Sequence, residues 1–141
     1  HTGSACVDWC GAVAGDGYSV AGNMLTGPDV IQETARSFER SIDRPFAERL
    51  IAALQAGEAA GGDKRGKQSA ALLIHSTEDY AEINLRVDDH AEPLAELTRL
   101  YEKAHERFIP FVRCGPSKAR PWGIFDRAVI EQQIASYKKP S

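Results

Sequence analysis

The feature that most constrains this chain is the order in which its apolar period changes. Ile83, Leu85 and Val87 alternate with Asn84, Arg86 and Asp88, the two-residue period of a strand with one wet face. Just before them, Gln68 to His75 has a continuous apolar centre, Ala70-Ala71-Leu72-Leu73-Ile74. That run predicts a strand buried on both faces. Residues 76–81 are polar and read as the turn between the two strands. A second hairpin is predicted at the start of the chain. Cys10 to Ala14 and Tyr18 to Ala21 flank Gly15-Asp16-Gly17, and Asp-Gly accepts the positive φ that tight hairpins need.

Between and after these hairpins the spacing becomes helical. Val30, Ile31, Thr34, Ala35 and Phe38 predict an amphipathic helix over 29–40, opened by Pro28 and Asp29, because proline and a carboxylate both suit a first turn. Ala47, Leu50, Ile51 and Leu54 mark a second helix that closes at Ala59-Ala60-Gly61-Gly62. Leu94, Leu97, Tyr101, Ala104 and Phe108 mark a third, beginning near Pro93. A loop carrying Pro110, Gly115, Pro116 and Pro121 then precedes a last helix with Ile130, Ile134 and Tyr137. Two hairpins separated by paired helices predict an α+β fold, mainly antiparallel sheets covered by helices, rather than a doubly wound parallel sheet. Residues 1–108 are expected to form the main body, with 109–141 a loop and helix packed on it.

Composition removes several functional classes. At 43% hydrophobic and 26% charged residues, the chain is neither disordered nor collagen-like. Its net charge of -3 lacks the basic excess of a bulk nucleic-acid binder, so no nucleic-acid partner is expected. Apolar runs reach about five residues, against the roughly 20 that span a bilayer, and no membrane partner is expected either. Cys6 and Cys10 would lie about 13 Å apart in an extended segment, at roughly 3.3 Å per residue. A disulfide needs Cα atoms within about 7 Å. Free thiols in a reducing, cytoplasmic setting are therefore expected.

The most unusual stretch is Gly61-Gly62-Asp63-Lys64-Arg65-Gly66-Lys67-Gln68-Ser69. It nearly matches a phosphate-binding loop, but Gln68 stands where Ser or Thr would hold magnesium. The context is also reversed, with a helix before and a strand after, whereas phosphates need the helix N-terminus after the loop. Nucleotide hydrolysis is rejected. The cations still suit a carboxylate subsite, with Arg65 as a bidentate donor, and a solvated basic turn is the alternative. Asp88-Asp89-His90 places two carboxylates beside an imidazole, a combination fit for proton transfer or metal ligation, or for capping the next helix. No second His or Cys lies at zinc-ligand spacing, and neither a metal nor another cofactor is expected. Asn23, after Gly22, is either an oxyanion donor or a turn residue.

Taken in order, these pieces resemble an uncharacterised, mostly bacterial family, domain of unknown function 1028, which is similar to the N-terminal-nucleophile (Ntn) hydrolases. The resemblance is carried by His1-Thr2-Gly3-Ser4-Ala5-Cys6 with Trp9, by Gly22-Asn23-Met24-Leu25 with Gly27-Pro28, by Ala59 through Leu72, and by Leu85-Arg86-Val87-Asp88-Asp89-His90. It covers about 1–108. It implies a four-layer αββα sandwich and cleavage of an amide C–N bond by a terminal Thr, Ser or Cys whose own α-amine is the base. Family members carry roughly 75–85 further residues before His1, a sub-domain length. This chain is therefore expected to be the C-terminal two-thirds of such a domain, with an incomplete sandwich and its nucleophile outside. Thr2 would become terminal only if His1 were removed. On this reading Asn23, Asp88 and His90 are catalytic, and Asp63, Arg65, Lys67, Gln68 and Asp89 bind a small-molecule substrate. The partners expected are the missing N-terminal segment or a companion chain, and a second copy in a homo-oligomer. The alternative is a non-catalytic module binding a small anionic ligand on the same scaffold.

Overall fold

A computed structural model describes residues 3–140; His1 and Thr2, with the terminal-threonine reading, lie outside the described residues. The first hairpin pairs β1 (Gly11–Gly15) with β2 (Tyr18–Gly22). Gly15 faces Tyr18 across a two-residue turn of Asp16 and Gly17. Gly17 has φ 72°, the left-handed conformation that such a turn requires. Two helices follow, α1 (Pro28–Arg40) and α2 (Phe46–Ala59). α1 buries Val30, Ile31 and Ala35, while α2 buries Ala47, Ile51, Ala53 and Gly57. Their close approach needs a glycine: a Cβ at Gly57 would lie 2.3 Å from Thr34 Oγ1.

The second hairpin is β3 (Ala70–His75) with β4 (Ala81–Val87), antiparallel, with a register irregularity at Ile74/His75. After it come α3 (Pro93–Glu106), α4 (Phe108–Val112) and α5 (Arg127–Ser136). The protein is thus α+β, and among the described residues its hairpins form two separate two-stranded antiparallel sheets. One core joins α2, β3, β4, α3 and α4, through Ile51, Leu72, Ile83, Val87, Leu97 and Ile109. Leu97, at 0% exposure, is its centre.

Two expectations change. β3 is covered on one face only: Leu72 is buried, but Ala71 is exposed and Leu73 is 59% exposed. Helices pack on the Leu72 side, and among the described residues nothing lies over the other. The expected loop after Phe108 holds a short helix, and Phe108 opens it, exposed, instead of continuing the buried stripe of α3. Pro110 is compatible because it falls in the first turn, where no intrahelical N–H bond is lost. Further on, Asp126 caps α5, its carboxylate accepting from the Ala128 and Val129 backbone N–H groups at 2.8 and 3.3 Å.

Candidate functional site

The glycine-rich segment is the helix-to-strand connection its sequence suggests, running from α2 into β3. Gly61, Gly62 and Gly66 all have positive φ (119°, 56° and 102°), so the backbone there turns in ways that side-chain-bearing residues resist. The loop is fastened by main-chain bonds. Leu25 and Asp63 form an antiparallel bridge. The Thr26 N–H donates to Gly62 O at 3.0 Å, and the Lys64 N–H donates to Met24 O at 2.9 Å. The Lys64 ammonium also donates to the Asp8 carbonyl. The loop therefore hangs on the strand-like segment that follows the first hairpin.

Beneath it opens a cleft of about 1160 Å³ between β2, α1, α2 and the start of β3. Its floor is apolar, with Leu25, Val30, Ile31 and Leu54, and its rim is polar, with Asp63, Arg65, Lys67 and Gln68. This mixture of apolar lining and a few convergent polar groups is that of small-molecule sites.

The rim is electrostatically self-matched. Asp63 receives Arg65 in a bidentate pair, Nη2 to Oδ2 at 2.6 Å and Nε to Oδ1 at 2.9 Å, and its Oδ1 also accepts the Arg65 backbone N–H at 2.8 Å. That guanidinium and N–H hold the Asp63 carboxyl down at about 2. Lys67 lies between Glu58, at 2.7 Å, and Glu92. These two carboxylates raise the lysine above its ordinary value. The basic loop thus has a carboxylate for each of Arg65 and Lys67. An incoming anion would have to compete with Asp63, Glu58 and Glu92, so a zwitterion or a neutral hydrogen-bonding group matches this rim better than a bare anion.

The Asp88-Asp89-His90 turn divides. Asp88 turns away to Arg86, with Oδ1 accepting from Nη2 at 2.7 Å. Asp89 accepts from the Gln68 amide at 3.2 Å, and the His90 N–H donates to Gln68 O at 2.9 Å. His90 Nδ1 accepts the Glu92 N–H at 3.0 Å, so it satisfies a free donor at the start of α3, and in the neutral ring the proton sits on Nε2. The turn therefore joins the rim through Gln68 and Asp89, while Asp88 and His90 share no hydrogen bond. Asn23 is exposed beside the loop's attachment at Met24, outside the cleft lining. Among the described residues, no three His, Cys, Asp or Glu side chains gather as a metal site.

Glu58 and Glu92 are the site residues that sequence reasoning missed. Glu58 sits in the last turn of α2, nine positions before the lysine it pairs with, and an acidic residue so near a basic loop was a usable signal. Glu92 lies 25 positions beyond Lys67, and nothing local marks it.

Two antiparallel hairpins, helices around them and a cleft beneath a glycine-rich loop define an α+β domain with one polar-rimmed small-molecule cavity. Residues 1–97 match the family of unknown function DUF1028, and the chain belongs to that family. It is also similar to the crystal structure of protein SPO2555 from Silicibacter pomeroyi, of the same family, at 33% identity and a TM-score of 0.76. That match covers 90% of this chain and 54% of SPO2555, so the chain spans about half the length of that relative. No curated protein matches. No helix in the described residues is long and apolar enough to cross a membrane.

Proposed function

We propose that this chain is the substrate-holding part of an Ntn-type amide hydrolase, whose αββα sandwich and nucleophile are completed by sequence outside these 141 residues. The observation that carries the reading is the cleft, apolar within and rimmed by the Arg65–Asp63 pair, the Glu58–Lys67–Glu92 group and Gln68. The floor takes the carbon skeleton of a small amide. The rim takes its polar ends, with Arg65 and Lys67 exchanging a resident carboxylate for that of the substrate. Asp89 positions Gln68. Asn23 stands at the edge of the site as an oxyanion donor toward the completing segment, and Asp88 and His90 flank the second hairpin. The half-length match to SPO2555 supports a site shared with further sequence.

The test is to express the chain with and without the preceding segment of a full-length family member and assay amine release from short amides. Turnover is expected only with the segment present, lost when that segment's terminal nucleophile is replaced, and weakened in KM by Arg65→Ala. Turnover by the 141-residue chain alone defeats the arrangement. The saturation of both Arg65 and Lys67 by carboxylates favours a second reading, a binding module without chemistry. Thermal stabilisation by amino acids or carboxylates, unaltered by loss of the nucleophile and without product, selects it.

A further inference from the structure

The C-terminal part of the chain carries a second cavity, unrelated to the polar cleft. It is about 360 Å³ and is lined by Tyr80, Phe111, Cys114, Pro116, Ile124 and Ile130 among others, at the small end of ligand-sized pockets. Its mouth is surrounded by large exposed rings. Trp122 is 79% exposed and Phe125 82%, and they flank Ile124, which turns inward to the pocket. Phe111, on the pocket wall, is 52% exposed, and Phe108, three residues earlier on α4, is 53% exposed. Isolated exposed apolar residues need no explanation, but a contiguous group of aromatics beside an apolar pocket marks an interaction site.

We propose that this face is where two copies of the chain meet, the Trp122 and Phe125 rings of each entering the other's pocket. Three observations select a second copy as the occupant. The projecting rings and the pocket that fits them lie side by side on one surface, which is the self-complementarity that a two-fold interface requires. The charges around the face are already matched within the chain: Lys118 pairs with Asp79 at 2.9 Å and its N–H donates to Glu78 at 2.9 Å. Arg120 donates to the Arg113 carbonyl at 2.8 Å. A strongly charged partner finds no complement there, whereas a copy of the same neutralised rim brings no unpaired charge. Finally, at roughly 150–250 Å² per aromatic side chain, the exposed parts of these four rings amount to about 500 Å². That is most of the roughly 800 Å² per partner of a standard stable interface.

The experiment is sedimentation velocity on the 141-residue chain from about 1 to 100 μM, with Trp122 fluorescence read in a Trp9→Phe background. A dimer is expected to form across this range, and the Trp122 emission to shift to the blue as it does. Trp122→Ser with Phe125→Ser should weaken association at least tenfold while leaving the far-ultraviolet circular dichroism unchanged, since both side chains are exposed. A chain that stays monomeric throughout overturns the proposal, because another partner would then be what the face serves. So does a dimer that survives the double substitution, or one whose formation leaves Trp122 emission unmoved.

Discussion

Gly57 offers the sharpest trial of how the wall of the cleft is built. Replacing it with alanine should help on intrinsic grounds, since alanine in a helix is about 0.5–1 kcal/mol better than glycine. Packing opposes this. The new Cβ would sit 2.3 Å from Thr34 Oγ1, while Thr34 Cβ, at 3.6 Å, is in ordinary contact. The clash is therefore with one atom. Threonine can relieve it only by turning about χ1, which sacrifices the 2.7 Å bond from Oγ1 to Val30 O and about 0.5–1.5 kcal/mol with it. Overpacking without relief costs typically about 1–3 kcal/mol. The penalty exceeds the helical gain, and Gly57→Ala should lose about 1 kcal/mol. Thr34→Ala alone trades the hydroxyl bond for better helix propensity and should stay within about 0.5 kcal/mol of the parent. The double variant removes the offending atom and should match or exceed the parent, a coupling of about 1–2 kcal/mol. Urea unfolding followed by circular dichroism measures all four proteins. Additive effects, or a Gly57→Ala protein more stable than the parent, would refute the account of how α1 and α2 approach.

Two further outcomes follow from ionisable groups. His105 Nδ1 lies 2.7 Å from Tyr137 Oη while its Nε2 is buried without a partner. Burial, reinforced by the Lys139 ammonium and by Arg113 against the opposing pull of Glu102 and Glu48, holds the imidazole below its usual 6.5. The unfolded chain then binds the proton first, so this contribution is complete above about pH 6.5 and is lost as pH falls below it. Urea midpoints between about pH 7.5 and 5.5 should decline, and the decline should be smaller in His105→Leu; an identical slope in the two proteins contradicts the assignment. Arg65→Ala should return the Asp63 carboxyl from about 2 toward its ordinary 3.8 in an NMR titration. Stability should change by less than about 1 kcal/mol, because the pair is exposed.

Much of the architecture was legible because period and punctuation agree. Asp16-Gly17 names its turn, Pro28 and Asp29 open α1, and the Ile83-Leu85-Val87 alternation matches a strand whose alternate residues Asn84 and Arg86 are exposed. β3 misled because an apolar run reports what a strand can bury, not what is present to bury it, and Leu73 remains uncovered. α4 was hidden by Pro110, read as a breaker where it sits in a first turn. At the site, the loop announced its own cations but not their partners. Ion pairing depends on which elements the fold brings alongside, and Glu92 reaches Lys67 only because α3 starts beside β3. Asp88 and His90 failed to pair for the same reason: neighbours in sequence on an extended turn point to different sides.

The fastening of the glycine-rich loop has a consequence for how such a site changes over time. The bonds at Thr26, Gly62, Met24 and Lys64 involve peptide groups alone, so they survive whatever side chains the loop carries. The aperture of the cleft is set by the main chain, and its selectivity by Arg65, Lys67, Gln68 and their carboxylates. A lineage can therefore rewrite the rim one residue at a time, exchanging the ligand it recognises without remaking the frame that holds it.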